Sequence, residues 1–290
     1  MMAGLLREAR PRQWAKNVLV FAAPGAAGVL DDGETLLVAL VAFVAFCLVS
    51  SGTYFWNDVL DVEADRLHPT KRHRPIASGA VPVGVGQVVG SLLLVAGVAL
   101  GFATGRWQTA AILVAYVVLT LSYSSYLKHV AVVDLVAVAA GFVLRAMAGA
   151  AATEVPMSSW FVLCTTFGSL FIVTGKRYAE LRELGEEAAS TRATLEAYSL
   201  TYLRTVLSIA VGATIVAYCM WAFETAEVAG SDLPLYELSI VPMLAALLRY
   251  LLILEQGHGG APEEVFVADR QLQAFGVIWA VLFGLGVYVG

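Results

Sequence analysis

Residues 34–75 read ETLLVALVAFVAFCLVSSGTYFWNDVLDVEADRLHPTKRHRP. The first half is an apolar run, and about 20 such residues cross the hydrocarbon core of a bilayer as an α-helix. The second half turns abruptly to charge. Four acids and four bases fall between Asp58 and Arg74, in a chain of which only 14% is Asp, Glu, Lys or Arg. A span that ends in so much charge has a task at that end beyond stopping in the interface.

The apolar signal recurs outward from this stretch. Of the 290 residues 59% are hydrophobic, and the mean hydropathy of +0.76 lies well above that of a water-soluble domain. Nine runs have the character of spans: 16–30, 34–56, 83–104, 107–127, 130–152, 157–178, 200–222, 236–254 and 271–289. Connections are brief and no Ser-, Gly- or Pro-rich linker divides the chain, so the expectation is one all-α integral membrane domain over 1–290. Basic residues ahead of the first run fit a signal peptide, but eight further runs make a first membrane helix the simpler reading. Residues 1–15 are expected to lie in the interface, with Leu5, Leu6 and Trp14 dipping into lipid.

Loop charge sets the orientation. With nine spans, one side takes the N-terminal arm, the connections 57–82, 128–134, 176–199 and 255–270, and the span ends Arg204 and Arg249. That side holds sixteen of the eighteen Lys and Arg residues. The opposite side has only Arg106, so the N-terminus is expected in the cytoplasm of a protein of the cell (inner) membrane. Eight acids in the outer loops explain the net charge of −5 and leave the inner face rich in both signs. Nucleic-acid binding is a poor reading. Cys47, Cys164 and Cys219 all lie within spans and offer neither a disulfide framework nor a zinc spacing.

Helical phase gives the charged stretch its meaning. At ~100° per residue, Asn57, Asp61, Asp65 and Asp58 fall within one arc of about 100°, with Tyr54 on the same face. Glu63 comes out on the far side. Carboxylates crowded in this way repel each other unless a cation sits among them. Oxygen ligands suit Mg²⁺, which takes one or two carboxylates and fills its octahedron with water and substrate phosphates. Lys71, Arg72 and Arg74 come next in the chain as direct phosphate contacts. The plainer alternative is a solvated helix end whose charges stop the span.

The run Asn57-Asp58-x-x-Asp61-x-x-x-Asp65, followed by Arg74-Pro75-Ile76 and Ser78-Gly79, resembles the first aspartate motif of the UbiA superfamily of intramembrane prenyltransferases. The N-terminal Arg10-Pro11-Arg12-Gln13-Trp14-Ala15-Lys16-Asn17 is similar too. The resemblance implies a nine-helix bundle around a central cavity, open to the cytoplasm for polar substrate and to lipid for an isoprenoid chain. Most members carry a second aspartate motif near the sixth span. Here that place reads Thr174-Gly-Lys176-Arg177-Tyr-Ala-Glu180-Leu-Arg-Glu183, with positive charge where acid is expected. This departure is similar to the branch of mycobacteria and related actinobacteria that transfers 5-phosphoribose from phosphoribosyl diphosphate to decaprenyl phosphate, feeding cell-wall arabinan synthesis.

That resemblance implies a Mg²⁺ cofactor on Asn57, Asp58, Asp61 and Asp65. It makes Asp58, Asp61 and Asp65 the catalytic acids and Lys16, Asn17, Tyr54, Lys71, Arg72, Arg74, Lys128, Arg145, Lys176, Arg177 and Glu180 the substrate contacts. The expected partners are phosphoribosyl diphosphate, a polyprenyl phosphate and the bilayer. Three of these residues have plainer readings. Arg145 shares a face with Asp134, Val138 and Gly141 inside the fifth run, where an ionisable residue marks function by default or pairs with an acid on a neighbouring helix. Lys176 and Glu180, four apart, also suit a surface salt bridge, and Lys128 a positive-inside anchor. Two rivals remain open. An aromatic prenyltransferase with a polyprenyl diphosphate donor requires a paired aspartate motif near the sixth span. A lipid or ion carrier requires broken helices in matching repeats.

Overall fold

The computed structural model describes residues 1–184, 193–230, 233–257 and 262–289, and every regular element among them is helical. Two short helices, α1 (Met2–Glu8) and α2 (Ala22–Ala26), precede the long α3 (Gly33–Leu60), and α4 (Val62–Leu67) continues it. Then come α5 (Val83–Phe102), α6 (Trp107–Ser125), α7 (Val133–Thr153) and α8 (Ser159–Leu184). The last are α9 (Leu200–Ala229), α10 (Leu235–Glu255), α11 (Pro262–Ala268) and α12 (Arg270–Tyr288). Eight of these, α3, α5 to α10 and α12, are long and apolar enough to cross a membrane.

Capping explains where the long helices begin. The Asp32 carboxylate accepts the Thr35 N–H at 2.8 Å ahead of α3, and Ser199 does the same for Tyr202 ahead of α9. Each side chain satisfies one of the orphan donors of a first turn. At the other end of α9, Gly230 takes the left-handed conformation that closes a helix without a Cβ penalty.

The helices form two compact units, one of residues 1–128 and 144–156, the other of 129–143 and 157–290. In the first, α3 packs against α5, α6 and the N-terminal segment around Val20, Phe46, Val49, Leu113 and Tyr116. Buried glycines let α5 lie close to α3. A Cβ on Gly97 would stand 2.8 Å from the Ala45 carbonyl oxygen, and one on Gly90 2.9 Å from the Phe55 Cβ. Small residues at such crossings are how membrane helices gain contact where lipid supplies no hydrophobic drive. In the second unit α8 packs on α9, and α10 on α9 and α12, around Phe171, Tyr178, Leu203, Leu207 and Leu254.

The apolar run 16–30 departs from expectation. It is no long α-helix; residues Pro11–Phe21 form a 3-10 helix that leads into α2. The reason lies in what its side chains must reach. Three residues per turn put Trp14, Asn17 and Val20 in one straight file, whereas an α-helix would swing each member about 60° from the last. Trp14 Nε1 donates to Ser51 Oγ at 3.0 Å, and Asn17 Nδ2 donates to Ser50 Oγ at 3.2 Å and Cys47 Sγ at 3.3 Å. Val20 is fully buried. The file is fastened along α3, so the tighter helix wins. Of Leu5, Leu6 and Trp14 in the arm, two have partners within the first unit. Leu5 packs on the cluster of Phe55, Val59, Ile76 and Val81, and Trp14 is held by Ser51, so only Leu6 of the three is well exposed.

On the far side the segment meets α7 at Gly149, where a Cβ would overlap the Val20 carbonyl oxygen. Gly149→Ala should therefore lower the thermal unfolding midpoint in detergent, with a cost at or above the upper end of the ~1–3 kcal/mol typical of overpacking. Gly212→Ala, whose Cβ meets open space, is the control and should leave the midpoint in place. Equal midpoints for the two variants would contradict the close approach.

Candidate active site

The charged stretch sits where α3 hands over to α4. The Asp61 N–H bonds the Asn57 carbonyl at 2.9 Å, and the Asp65 N–H bonds the Asp61 carbonyl at 2.8 Å. Helical phase thus survives the junction, and Asn57, Asp61 and Asp65 stay one turn apart on one file. Glu63 lies off it, exposed and paired with Arg66 at 2.8 Å.

The acids do not gather round a common point, as three converging carboxylates would. Each faces a cation of its own unit. Asp58, fully buried, accepts from Arg10 at 2.5 Å, from Arg74 at 3.0 Å and from the Asn57 amide at 3.2 Å. Asp65, also buried, accepts from the same Arg74 nitrogen at 2.7 Å. Asp61 accepts from Lys128 at 2.7 Å. Two guanidinium groups and an ammonium provide the charge balance that crowded carboxylates require. Tyr54, on the same face, lies beneath the Arg10 guanidinium, 4.7 Å from the ring centroid. Lys71 and Arg72 occupy the short 3-10 turn Lys71–His73 beside this group, and exposed Arg72 donates to His73 Nε2 at 3.4 Å. Lys16 Nζ bonds Gln13 at 2.5 Å.

Two residues at the centre of this arrangement were not among the expected site residues. Arg10 holds its backbone at φ 50°. That left-handed conformation costs a non-glycine residue roughly 1–2 kcal/mol, and its pair with Asp58 offsets the cost. The signal for it was the RPRQWAKN run, although its ion-pair partner lies 48 positions away. Glu8 is buried, and its carboxyl oxygens find no hydrogen-bond donor among the described residues. It lies against Asp58. Burial first, and then the Asp58 carboxylate, push its pKa up to about 8. Two bare carboxylates cannot bond each other, so at neutral pH Glu8 carries the proton.

The remaining expected residues divide between other duties. Asn17 is fully buried in the file described above, and Arg145 Nε donates to its side-chain oxygen at 2.8 Å. Arg145 also donates to Tyr116 Oη at 3.0 Å and lies over the Phe46 and Tyr116 rings. Asp134, on the same helix, belongs to the other unit. There it is fully buried and bonded by Arg177 at 3.3 Å and by Tyr198 Oη at 2.5 Å. Tyr198 Oη in turn accepts the Val132 N–H at 2.6 Å. Burial and the acceptor Asp134 raise the phenol's pKa, which keeps it a donor. Glu180 pairs with Arg177 at 3.0 Å rather than with Lys176. Half-buried Lys176 has no ion-pair partner among the described residues.

A divalent cation finds a sparse donor set here. Among the described residues no three His, Cys, Asp or Glu side chains are grouped to hold a metal. Asp58 and Asp65 are committed to guanidinium groups, whereas Asn57 and Asp61 stand one turn apart at the half-buried edge. Two such oxygens suit Mg²⁺, which keeps waters and takes substrate phosphates. They do not suit an ion that needs a full protein cage.

An all-helical chain with eight candidate spans, and acid and base concentrated at one helix end, has the make-up of an intramembrane transferase. The UbiA prenyltransferase family matches residues 18–285, and the chain belongs to that family. Decaprenyl-phosphate phosphoribosyltransferase of Corynebacterium glutamicum is 42% identical over 289 residues, spanning 99% of this chain and 87% of its own. The protein of that name from Mycobacterium tuberculosis is 43% identical over 298 residues, spanning 100% and 96%. A UbiA homolog from Archaeoglobus fulgidus, solved bound to DMAPP and Mg²⁺, shares the fold with a TM-score of 0.73 at 16% identity, over 98% of this chain and 99% of that one.

These contacts set the response to pH and to substitution. A carboxyl whose folded pKa is raised stabilises fully below its unfolded value of 4.5 and loses that contribution as pH climbs through about 8. The wild-type melting midpoint should therefore fall between about pH 5 and 8 and level off above, and Glu8→Gln should flatten that fall; identical pH profiles would contradict a protonated Glu8. Arg177→Ala leaves Asp134 buried without its cation and should cost about 3–5 kcal/mol. Lys176→Ala should leave the melting midpoint within error of wild type.

Proposed function

We propose that this protein transfers 5-phosphoribose from 5-phosphoribosyl 1-diphosphate to a polyprenyl phosphate, of decaprenyl type, and releases diphosphate. The product would serve as a precursor of cell-wall arabinan. Near-full-length identity to enzymes named for this transfer carries the reading. The charge inventory supports it. One donor diphosphate and two monophosphates require few acids and many bases, and the run Thr174–Glu183 is basic at Lys176 and Arg177.

In this reading the whole chain of 290 residues acts as one transferase domain of the inner membrane, with its N-terminus and active site on the cytoplasmic side. It crosses the bilayer nine times around a central cavity. The first crossing would be the Pro11–Phe21 helix with α2. At about 2.0 Å per residue a 3-10 helix gains more length than an α-helix, so these residues reach roughly 30 Å, the thickness of a hydrocarbon core.

Mg²⁺, held by Asn57 and Asp61 with Asp58 and Asp65 behind them, would supply positive charge to the leaving diphosphate. The chain's own side chains do the rest. Arg74 keeps Asp58 and Asp65 and turns its other N–H groups to phosphate. Lys128 and Lys71 exchange their present partners for phosphate oxygens, Arg72, Lys16 and Lys176 add cations, and Tyr54 closes the pocket beside Arg10. The attacking lipid phosphate has a second pKa of about 6 and is already ionised at neutral pH. No general base is needed, and the three aspartates serve charge and position. Positive charge develops on the sugar as its bond to diphosphate breaks.

The test offers purified protein labelled phosphoribosyl diphosphate with polyprenyl phosphate, and separately a labelled prenyl diphosphate with an aromatic acceptor, each with and without chelator. Label should enter lipid only in the first pair and only without chelator. Transfer in the second pair alone would establish an aromatic prenyltransferase, and transfer in neither would favour a carrier. Asp61→Ala should abolish the transfer while membrane insertion persists, and Glu63→Ala should remain near wild type. Full activity in Asp61→Ala would remove the metal assignment.

A further inference from the structure

Arg145 is an ionised side chain in the middle of a membrane helix, 6% exposed, where charge is costly and marks function. Its contacts point away from direct chemistry. Nε meets the side-chain oxygen of Asn17 at 2.8 Å, Nη2 meets the Tyr116 phenol at 3.0 Å, and the Phe46 and Tyr116 rings lie 5.4 Å and 4.9 Å from the guanidinium carbon. Asn17 is the middle member of the file that fastens the 3-10 segment to α3. One turn after Arg145, Gly149 receives the Val20 backbone, three residues after Asn17. Arg145 and Gly149 therefore grip the segment at two successive turns, one by hydrogen bond and one by close approach.

The same segment begins at Arg10, whose guanidinium bonds Asp58 and covers Tyr54. Because 3-10 turns are eclipsed, a displacement at Asn17 carries back along the file through Trp14 to Pro11, and so to its neighbour Arg10 and the Asp58 group. We propose that Arg145 is a positioning residue: by holding Asn17 it locks the N-terminal segment in register and so sets Arg10 against Asp58 and presents Lys16 to the phosphorylated donor. It does not touch the substrate. A phosphate contact would place its effect on binding alone and would leave the segment's own stability unchanged. A register lock loosens the segment with or without substrate.

The kinetic consequence rests on the transfer reaction proposed above, whereas the structural consequence does not. Two measurements on the full-length protein in detergent keep them apart. Trypsin cleavage after exposed Arg12 requires the segment to leave its helix, so its rate reports the open fraction. Arg145→Lys keeps the charge but loses the planar fork, and Asn17→Ala removes the same bond from the other side together with the Asn17 bonds to Ser50 and Cys47. Arg145→Lys should speed that cleavage about tenfold, the size of one charge-assisted hydrogen bond, and Asn17→Ala at least as much. Each should also raise KM for phosphoribosyl diphosphate by a similar factor, with kcat changing less. The double variant should be no worse than Asn17→Ala alone. Asn17→Asp, which restores an acceptor to Arg145 but no donor to Ser50 and Cys47, should recover part of the protection lost in Asn17→Ala.

Unchanged cleavage in Arg145→Lys with a raised KM would overturn the proposal in favour of a substrate contact. Multiplying losses in the double variant would overturn it too. Should Arg145→Lys fail to fold, Asn17→Ala and Asn17→Asp decide alone. If wild-type protein transfers no phosphoribose, the reading of function fails, and the cleavage rates still decide the role of Arg145.

Discussion

The first unit is organised around one buried carboxylate. Asp58 stands near the end of the longest apolar run before the charged stretch, out of reach of water, and is bonded by two guanidinium groups from opposite directions in sequence. Arg10 brings in the N-terminal segment and Arg74 brings back the loop after α4. Removing one partner from such a group is expensive, because the other charge is left buried without compensation. The arrangement is therefore cooperative. The segment's strained turn at Arg10, the cation over Tyr54 and the shared contact of Arg74 with Asp65 all depend on the same two oxygens.

The second unit repeats the device with different parts. Asp134 is bonded by Arg177 and by a Tyr198 phenol that also accepts the Val132 N–H. Val132 holds φ 69°, an unusual conformation for a β-branched residue, and it is this hydrogen bond that secures it. In both units a buried acid close to a helix end is neutralised by arginine while a neighbouring lysine lies nearer the surface. Arginine suits burial because its fork satisfies two acceptors and its charge is weakly hydrated. Lysine, as a compact and exchangeable point charge, suits contacts that are made and remade.

The spans were legible because twenty apolar residues in a row have few other uses, and each of the eight long helices begins within a few residues of the start of its hydropathy run. The first run, 16–30, was legible as apolar but not as a 3-10 helix, since hydropathy measures what a segment tolerates and not which helix it forms. The spacing of Trp14, Asn17 and Val20 was in view, but a period of three is invisible to templates built on 3.6 and 2. At the site, helical phase correctly separated Glu63 from Asn57, Asp61 and Asp65. It was silent about partners. Arg10 and Asp58 are 48 residues apart and Asp61 and Lys128 67 apart, and pairings of that range are made by packing, which no local pattern records. Lys176 and Glu180 show the limit of spacing, because the four-residue pairing weighed as the plainer alternative lost to Arg177, one position further on.

The eclipsed N-terminal helix has an evolutionary consequence. In an α-helix a single inserted residue rotates the downstream residues by about 100° and leaves a neighbouring side chain to take over part of a lost contact. In a threefold helix the same event turns the chain by about 120° and carries the whole anchoring row off its track at once. Between Trp14 and Val20 this chain can change its letters far more readily than its length, and indels there should be tolerated only in multiples of three.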